Sequence, residues 1–162
     1  MFEKLNFSWV IPDVLAASSV PHFKKDLDFL LRKQGIEVVI TLTENNLSKY
    51  IKNYKELKTN YQYKHYHIPT IDGTGFFIHQ FEKIVKILEE NISQNKKILI
   101  HCEGGYGRTS TVLVAFWISH YNKALKDSIN ELKKEERRPQ LILTDIQIES
   151  LKEWEKIVFR NK

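Results

Sequence analysis

The sequence is poor in cysteine: its 162 residues include one, at position 102. A single cysteine excludes an internal disulfide and any zinc site built from several cysteines. No apolar run approaches the roughly 20 residues that a membrane helix requires, and residues 1–4 (MFEK) do not begin a secretion signal. Internal repeats, low-complexity tracts and flexible linkers are also absent from the sequence. The chain is therefore expected to form one domain over residues 1–162, reduced, cytoplasmic and monomeric.

The composition is that of a globular protein, with 42% hydrophobic and 28% charged residues. Lysine and arginine number 25 against 20 aspartates and glutamates, a net charge of +5 that favours anionic partners without naming one. Lysines and tyrosines interleave between residues 50 and 66, a mixture that can bind single-stranded nucleic acid. A solvated helix face and an edge strand explain the same mixture, so no nucleic acid partner is expected.

Hydrophobic patterning predicts strands that alternate with helices. Strands are predicted at residues 7–11, 14–17, 36–42, 61–68 and 97–101. Helices are predicted from about Pro21, over 46–58, after Gly75, over 112–118, and twice more in the last 40 residues or so. Phe23 and Phe77 are assigned to buried helix faces. This order predicts an α/β fold with a central, mostly parallel, twisted sheet flanked by helices.

The clearest chemistry lies in residues 101–109 (HCEGGYGRT), between a predicted buried strand and the apolar helix over 112–118. At a helix N-terminus the backbone N–H groups point outward, and the helix dipole adds partial positive charge. The glycines permit a tight curl around an anion. The curl is expected to bring Arg108 beside Cys102, where its guanidinium can bind two oxygens of one phosphate. The same positive field favours the nucleophilic thiolate form of the cysteine.

This segment resembles the signature of the cysteine-dependent protein tyrosine phosphatase superfamily: His101-Cys102, five residues, then Arg108-Thr109. The chain length is similar to that of the small dual-specificity and archaeal-type members. The resemblance covers most of the chain, through residues 7–12 (FSWVIP), 67–73 (HIPTIDG), and Arg138-Pro139 with Gln147. It implies the three-layer phosphatase fold, a phosphorylated protein as substrate, and neither cofactor nor metal. Residues 101–109 are called the signature loop below.

The resemblance also implies how the signature loop acts. Cys102 attacks phosphorus and forms a phosphocysteine intermediate, and Thr109 donates its hydroxyl to the sulfur. Arg108 and the loop amides stabilise the phosphate oxygens as charge develops. The phosphate, or a sulfate or vanadate in its place, is bound by Glu103, Gly104, Gly105, Tyr106, Gly107 and Arg108.

Three residues are implied to support this loop. His101 lies behind the cysteine and orients the loop. Asp72 is the general acid for the leaving group, although some relatives have their acid directly after Ile-Pro, where this chain has Thr70. Gln147 matches a glutamine that positions the hydrolytic water.

Ordinary structural roles are the alternatives to these assignments. A lone cysteine is most often a small buried residue, Asp72 fits a turn in a glycine-rich loop, and Gln147 fits a surface helix position. Glu44 is interpreted as a loop carboxylate, with contact to the site as the alternative. Residues 133–138 are interpreted as a charged helix face, with Arg138 turned toward the site.

Other functional classes are weighed against the phosphatase. Rhodanese-like and arsenate-reductase proteins also have a cysteine in an anion loop, but they lack the combination of Thr109, an aspartate loop and a late glutamine. His65 and His67 share a strand face without a third metal ligand. We expect a phosphatase acting on phosphotyrosine, and on phosphoserine and phosphothreonine as well. The alternatives are the same chemistry on RNA 5′-phosphates or phosphoinositides, and a phosphate-binding module without turnover.

Overall fold

The computed structural model describes residues 5–162, so the expectation for residues 1–4 lies outside the described residues. The strands are β1 (Ser8–Ile11), β2 (Leu15–Ser18), β3 (Val38–Thr41), β4 (Lys64–His67) and β5 (Ile98–His101). They form a sheet in the order β1-β2-β5-β3-β4. Strand β1 is antiparallel to β2, and the other neighbouring pairs are parallel. The predicted mostly parallel sheet is confirmed.

The helices follow the predicted order along the chain. They are α1 (Lys24–Leu27), which continues as a π-helical segment (Asp28–Lys33), α2 (Leu47–Tyr50), α3 (Tyr54–Lys58), α4 (Ile78–Ser93), α5 (Gly107–His120), α6 (Leu125–Leu132) and α7 (Asp145–Arg160). Among residues 5–162, none of these helices has both the length and the apolar character to cross a bilayer.

Alternation along the strands creates a separate core on each face of the sheet. Val38 and Ile40 of β3 face one side and pack in a core to which α4, α5, α6 and α7 contribute. Val39 lies between them in sequence and faces the other side, where it packs with Phe29 and Leu30 of the π-helical segment. Because side chains of a strand alternate between the two faces, a strand covered on both sides is apolar throughout. The sheet and its two helical layers give the expected three-layer arrangement.

Helix α5 is the centre of the larger core. Every residue from Arg108 to Ile118 is buried, as expected for a helix that is apolar on all sides. The Trp154 indole of α7 donates a hydrogen bond to the Ala115 carbonyl at 3.0 Å and fixes α7 against α5. The N-terminus of α5 is thereby held rigidly at the end of β5, where the signature loop enters it.

Several predicted helix boundaries are wrong. Phe23 and Phe77 are 61% and 70% exposed. Each directly precedes the first helical residue, so the face predicted from helical spacing does not apply to it. The N-terminal helix begins at Lys24 and not near Pro21.

Two charged segments also differ from prediction. Residues 46–58 form two short helices instead of one, because Asn53 adopts a left-handed conformation with φ of 57° between them. Helix α6 ends at Leu132, so residues 133–138 are turns and not the predicted helix face. The turns allow Arg138 to leave the surface and enter the interior, where it is fully buried.

Candidate active site

The candidate site lies at the carboxyl ends of three parallel strands. In register, Thr41 at the end of β3 is paired with His67 of β4 and with His101 of β5. The loops that follow these strands therefore leave the sheet at one edge, which is where α/β folds place their sites. Here they surround a cavity of about 360 Å³. It is lined by Asp72, Cys102, Glu103, Gly104, Tyr106, Gly107 and Arg108.

Cys102 is buried at the base of this cavity, with 3% of its surface exposed. The Thr109 hydroxyl, one turn into α5, donates a hydrogen bond to its sulfur at 3.1 Å. The structure thus brings Thr109 to the atom predicted for it. Tyr106, the residue before α5, is 44% exposed and lies at the cavity rim, and Glu103 is exposed as well.

His101 supports the loop from behind through a chain of hydrogen bonds. Its Nδ1 donates to the Cys102 carbonyl at 3.0 Å, so its Nε2 is the acceptor toward the Thr41 hydroxyl at 2.7 Å. The Thr41 oxygen then accepts from His65 Nε2, also at 2.7 Å. Burial lowers the pKa of His101 and of His65 to about 4. Both imidazole rings are neutral near pH 7, so this series of hydrogen bonds adds no charge beside the signature loop.

Three consecutive loop carbonyls are held from outside the cavity. The donors are Val20 N to Glu103 O at 2.9 Å, Asn6 Nδ2 to Gly104 O at 3.0 Å, and Arg138 Nη2 to Gly105 O at 2.7 Å. In a trans peptide the N–H points opposite to the C=O, and the described chain contains no cis peptide. The N–H groups of the next three residues, 104 to 106, therefore point away from these donors, toward the anion site. The sequence analysis did not identify Asn6 or Val20.

Gly105 is the glycine that this curl requires. Its φ of 79° is left-handed, and a Cβ there would lie 2.7 Å from the Ser18 carbonyl oxygen and 2.9 Å from Arg138 Nη2. It turns toward these groups and is not among the residues that line the cavity. The predicted contact of Gly105 with a phosphate would be made by its backbone N–H, and it stays a prediction.

Arg108 is 99% buried and joins the loop to the two carboxylates of the site. Its Nη1 donates to the Thr70 carbonyl at 2.8 Å and to Glu44 Oε2 at 3.1 Å. Its Nε lies 3.5 Å from Asp72 Oδ1 but has no hydrogen-bond partner among the described residues. A buried donor of this kind is available to an oxygen of a bound anion.

The interpretation of Glu44 as an ordinary loop carboxylate is wrong. Its Oε1 accepts from the backbone N–H of Asp72 at 2.8 Å while its Oε2 contacts Arg108. The N–H of Asp72 and the charge of Arg108 hold the pKa of Glu44 below its usual range. Glu44 thus ties the Asp72 loop to the arginine. Its position soon after β3, at the edge where the sites of parallel sheets form, was the signal for this role.

Gln147 is fully buried at the start of α7, so the alternative interpretation of it as a surface helix residue is wrong. Its Oε1 accepts from Thr144 N, whose hydroxyl accepts from Gln147 N in return. Its Nε2 has no hydrogen-bond partner among the described residues and lies 3.0 Å from where a Cβ on Gly107 would be. The structure places this amide against the signature loop, whereas Asp72 stands opposite with its side chain 77% exposed.

The side chains considered for a metal site or for nucleic acid binding make contacts within the protein. His67 Nε2 donates to the Thr43 carbonyl at 2.8 Å, and His65 is held by Thr41. No group of three side chains suited to a metal is found within residues 5–162. Tyr54 and Tyr61 of the lysine-tyrosine segment are buried in the core.

Comparison with known proteins identifies the family of this chain. Residues 21–157 match the model of the dual specificity phosphatase catalytic domain. The chain belongs to this family. The match begins in the loop before α1 and ends within α7, so it includes every residue that lines the cavity.

Two curated relatives and one solved structure show what the chain is similar to. The chain is 32% identical over 91 residues to the tyrosine-protein phosphatase MSG5 of Saccharomyces cerevisiae, which is 54% of this chain and 18% of that protein. It is 27% identical over 154 residues to the phosphatidylglycerophosphate phosphatase PTPMT2 of Arabidopsis thaliana, 93% of this chain and 64% of that protein. The crystal structure of Tk-PTP in the active form shares 28% identity with a TM-score of 0.79, over 93% of this chain and 97% of that one. The chain spans less than two thirds of the length of either curated relative.

Proposed function

We propose that this dual specificity phosphatase family member hydrolyses phosphate monoesters of proteins through a phosphocysteine intermediate. Phosphotyrosine is the preferred substrate, with phosphoserine and phosphothreonine also accepted. The observation that carries the proposal is that Cys102, Arg108 and Asp72 line one cavity of about 360 Å³. A nucleophile, a phosphate-binding cation and a proton donor are the three groups that the reaction requires.

In the first step the Cys102 thiolate attacks phosphorus opposite the ester oxygen. The sulfur–phosphorus bond forms as the phosphorus–oxygen bond breaks, and Asp72 donates a proton to the departing oxygen. Arg108 Nε and the loop amides bind the other phosphate oxygens, whose charge they stabilise most strongly in the transition state. A phenol leaves more readily than an alcohol, which is why phosphotyrosine depends least on Asp72.

In the second step water attacks the phosphocysteine. Asp72, now ionised, accepts the proton of the water, and the free Nε2 of Gln147 supports the position of that water beside the loop. The sulfur leaves as a thiolate that accepts a hydrogen bond from Thr109. Inorganic phosphate is released and the starting state of the cysteine is restored.

The experiment is a substrate panel with wild type and Cys102→Ser. Phosphotyrosine peptides are expected to be hydrolysed fastest, phosphoserine and phosphothreonine peptides more slowly, and the serine variant is expected to be inactive with unchanged thermal unfolding. Substantial turnover by Cys102→Ser would contradict the cysteine mechanism.

A lipid phosphate is the second candidate substrate, because the relative PTPMT2 is named a phosphatidylglycerophosphate phosphatase. Against it, the signature loop contains no lysine to bind a further headgroup charge. Phosphatidylglycerophosphate, phosphoinositides and 5′-phosphorylated RNA therefore belong in the same panel. If one of these is hydrolysed faster than every phosphopeptide, the substrate is not a phosphoprotein, but the phosphocysteine mechanism still holds.

A further inference from the structure

Arg138 is fully buried beneath the signature loop and donates hydrogen bonds to uncharged oxygens. Its Nη1 donates to the Asn6 carbonyl at 2.7 Å and to the Ser8 hydroxyl at 2.8 Å, and its Nη2 donates to the Gly105 carbonyl at 2.7 Å. Within residues 5–162, no carboxylate oxygen lies within 4 Å of its guanidinium nitrogens. A charge in the protein interior is costly unless it is paired, so this arrangement calls for an anion nearby.

The two buried arginines of the site differ in how their charge is balanced. Arg108 faces Glu44 at 3.1 Å and Asp72 at 3.5 Å, so two carboxylates offset its charge. Arg138 has no such partner among the described residues. Burial lowers its pKa to about 10, and a thiolate at Cys102 acts to raise it. Arg138 therefore remains protonated at neutral pH and interacts electrostatically with the nucleophile.

The bond from Arg138 also fixes the orientation of one loop amide. The Gly105 carbonyl and the Tyr106 N–H belong to the same trans peptide, so they point in opposite directions. Holding the carbonyl toward Arg138 turns the N–H toward the anion site. Val20 and Asn6 hold the two preceding carbonyls with neutral donors, whereas Arg138 holds this one with a charged group. Charge-assisted hydrogen bonds are roughly twice as strong as neutral ones.

We propose that Arg138 is a positioning residue for the reaction: it turns the Tyr106 N–H toward the phosphate, and its charge, which no carboxylate within residues 5–162 offsets, favours the thiolate form of Cys102. The inference rests on the proposed phosphocysteine mechanism. It extends that mechanism to a residue that does not touch the substrate and that acts from behind the loop.

Arg137 provides a matched control. It is adjacent in sequence, it also donates to the β1 backbone, at the Val10 carbonyl at 2.9 Å, and it makes no hydrogen bond to the signature loop. Arg137→Met and Arg138→Met therefore both remove a positive charge and an anchor to the first strand. Only Arg138→Met removes the bond to Gly105. Arg138→Lys keeps the charge but replaces the planar fork by a single ammonium group.

The experiment measures alkylation of Cys102 by iodoacetamide from pH 5 to 9, its protection by inorganic phosphate, and thermal unfolding. For Arg138→Met we expect alkylation at pH 6, relative to its rate at pH 9, to fall about tenfold, and the phosphate concentration needed for protection to rise about tenfold. Arg138→Lys is expected to keep the pH profile of the wild type and to show weaker protection. Arg137→Met is expected to match the wild type in both measurements.

The outcomes separate three cases. A wild-type pH profile and wild-type phosphate protection in a folded Arg138→Met would overturn the inference and leave the proposed function intact. If Arg138→Met does not fold, Arg138→Lys decides: phosphate protection equal to the wild type would overturn the inference, and weaker protection with an unchanged pH profile would support it. Slow alkylation of the wild type itself, without phosphate protection, would overturn the proposed function and the inference with it.

Discussion

The hydrogen bond from Thr109 to the Cys102 sulfur leads to a prediction about which step limits turnover. The hydroxyl is fully buried and its oxygen lies 3.1 Å from the sulfur. In Thr109→Val the side chain keeps its shape but loses this donor. A hydrogen bond to a charged group contributes about 1.5–3 kcal/mol. Because the sulfur carries its charge as the leaving group of the second step, we expect hydrolysis of the phosphocysteine to slow by roughly 10- to 100-fold.

The first step is expected to change less, because a thiolate without the hydrogen bond is also a stronger nucleophile once formed. The phosphocysteine should then accumulate. Stopped-flow measurement with p-nitrophenyl phosphate is expected to show a burst of p-nitrophenol equal to the enzyme concentration, followed by a slow steady state. The burst is the signature of a covalent intermediate that forms faster than it breaks down.

Thr111→Val provides the control for this experiment. Thr111 lies in the same helix and is equally buried, but its hydroxyl donates to the Gly107 carbonyl at 2.7 Å and not to sulfur. We expect no burst and little change in turnover from this variant. A steady state as fast as the wild type in Thr109→Val, without a burst, would refute the role assigned to the hydroxyl.

Three further predictions concern the acid, the loop and the buried histidine. Asp72→Asn should lower turnover of phosphoserine peptides by about 100-fold, with a smaller loss of turnover on p-nitrophenyl phosphate. The variant should also lose the decline of activity at alkaline pH. An unchanged pH profile would mean that another residue is the general acid. Gly105→Ala should weaken phosphate binding in a titration, because its Cβ would lie 2.7 Å from the Ser18 oxygen. Gly73 has a similar positive φ, but a Cβ there would have no atom within 4 Å, so Gly73→Ala should bind phosphate like the wild type. The pKa of His101 is about 4 in the folded chain and about 6.5 when unfolded, so below pH 6.5 the unfolded chain binds the additional proton. Titration of His101 should therefore lower folding stability by roughly 2 kcal/mol as the pH drops from 7 to 4.5, and His65, whose pKa is also lowered to about 4, adds to the loss. Denaturant unfolding at several pH values tests this, and a flat profile would contradict it.

The sequence predicts the sheet and the signature loop because both are recorded in local patterns. A helix apolar on all sides can only be buried, and α5 is. Cys102 and Arg108 are separated by five residues within one predicted loop, so their side chains were expected to lie close together. The break at Asn53 was not recognised, because asparagine is tolerated in a helix and nothing nearby in sequence shows that this one is left-handed.

Contacts between distant segments are the part that local patterns do not determine. Glu44 precedes Arg108 by 64 residues and reaches it only because β3 and β5 are neighbours in the sheet. Arg138 was expected at a charged helix face and turned toward the site, and its burial depends on where α6 ends. The hydrogen bond from Asn6 to the Gly104 carbonyl spans 98 residues. Such contacts follow from strand order and from side-chain length, and neither is visible in hydrophobic periodicity.

Two of the six buried polar side-chain atoms that lack a partner within residues 5–162 lie where the proposed reaction needs donors. Arg108 Nε and Gln147 Nε2 are buried, adjoin the signature loop and have no hydrogen-bond partner among the described residues. A buried donor left unpaired costs about 1–3 kcal/mol of folding stability. These donors are therefore already removed from water in the folded protein, and substrate binding does not have to desolvate them. The loop carbonyls are held outward in the same state, and the amides need no reorientation when a phosphate enters. In the proposed mechanism the site is therefore arranged for the transition state before the substrate arrives, which is the condition under which fixed dipoles accelerate a reaction.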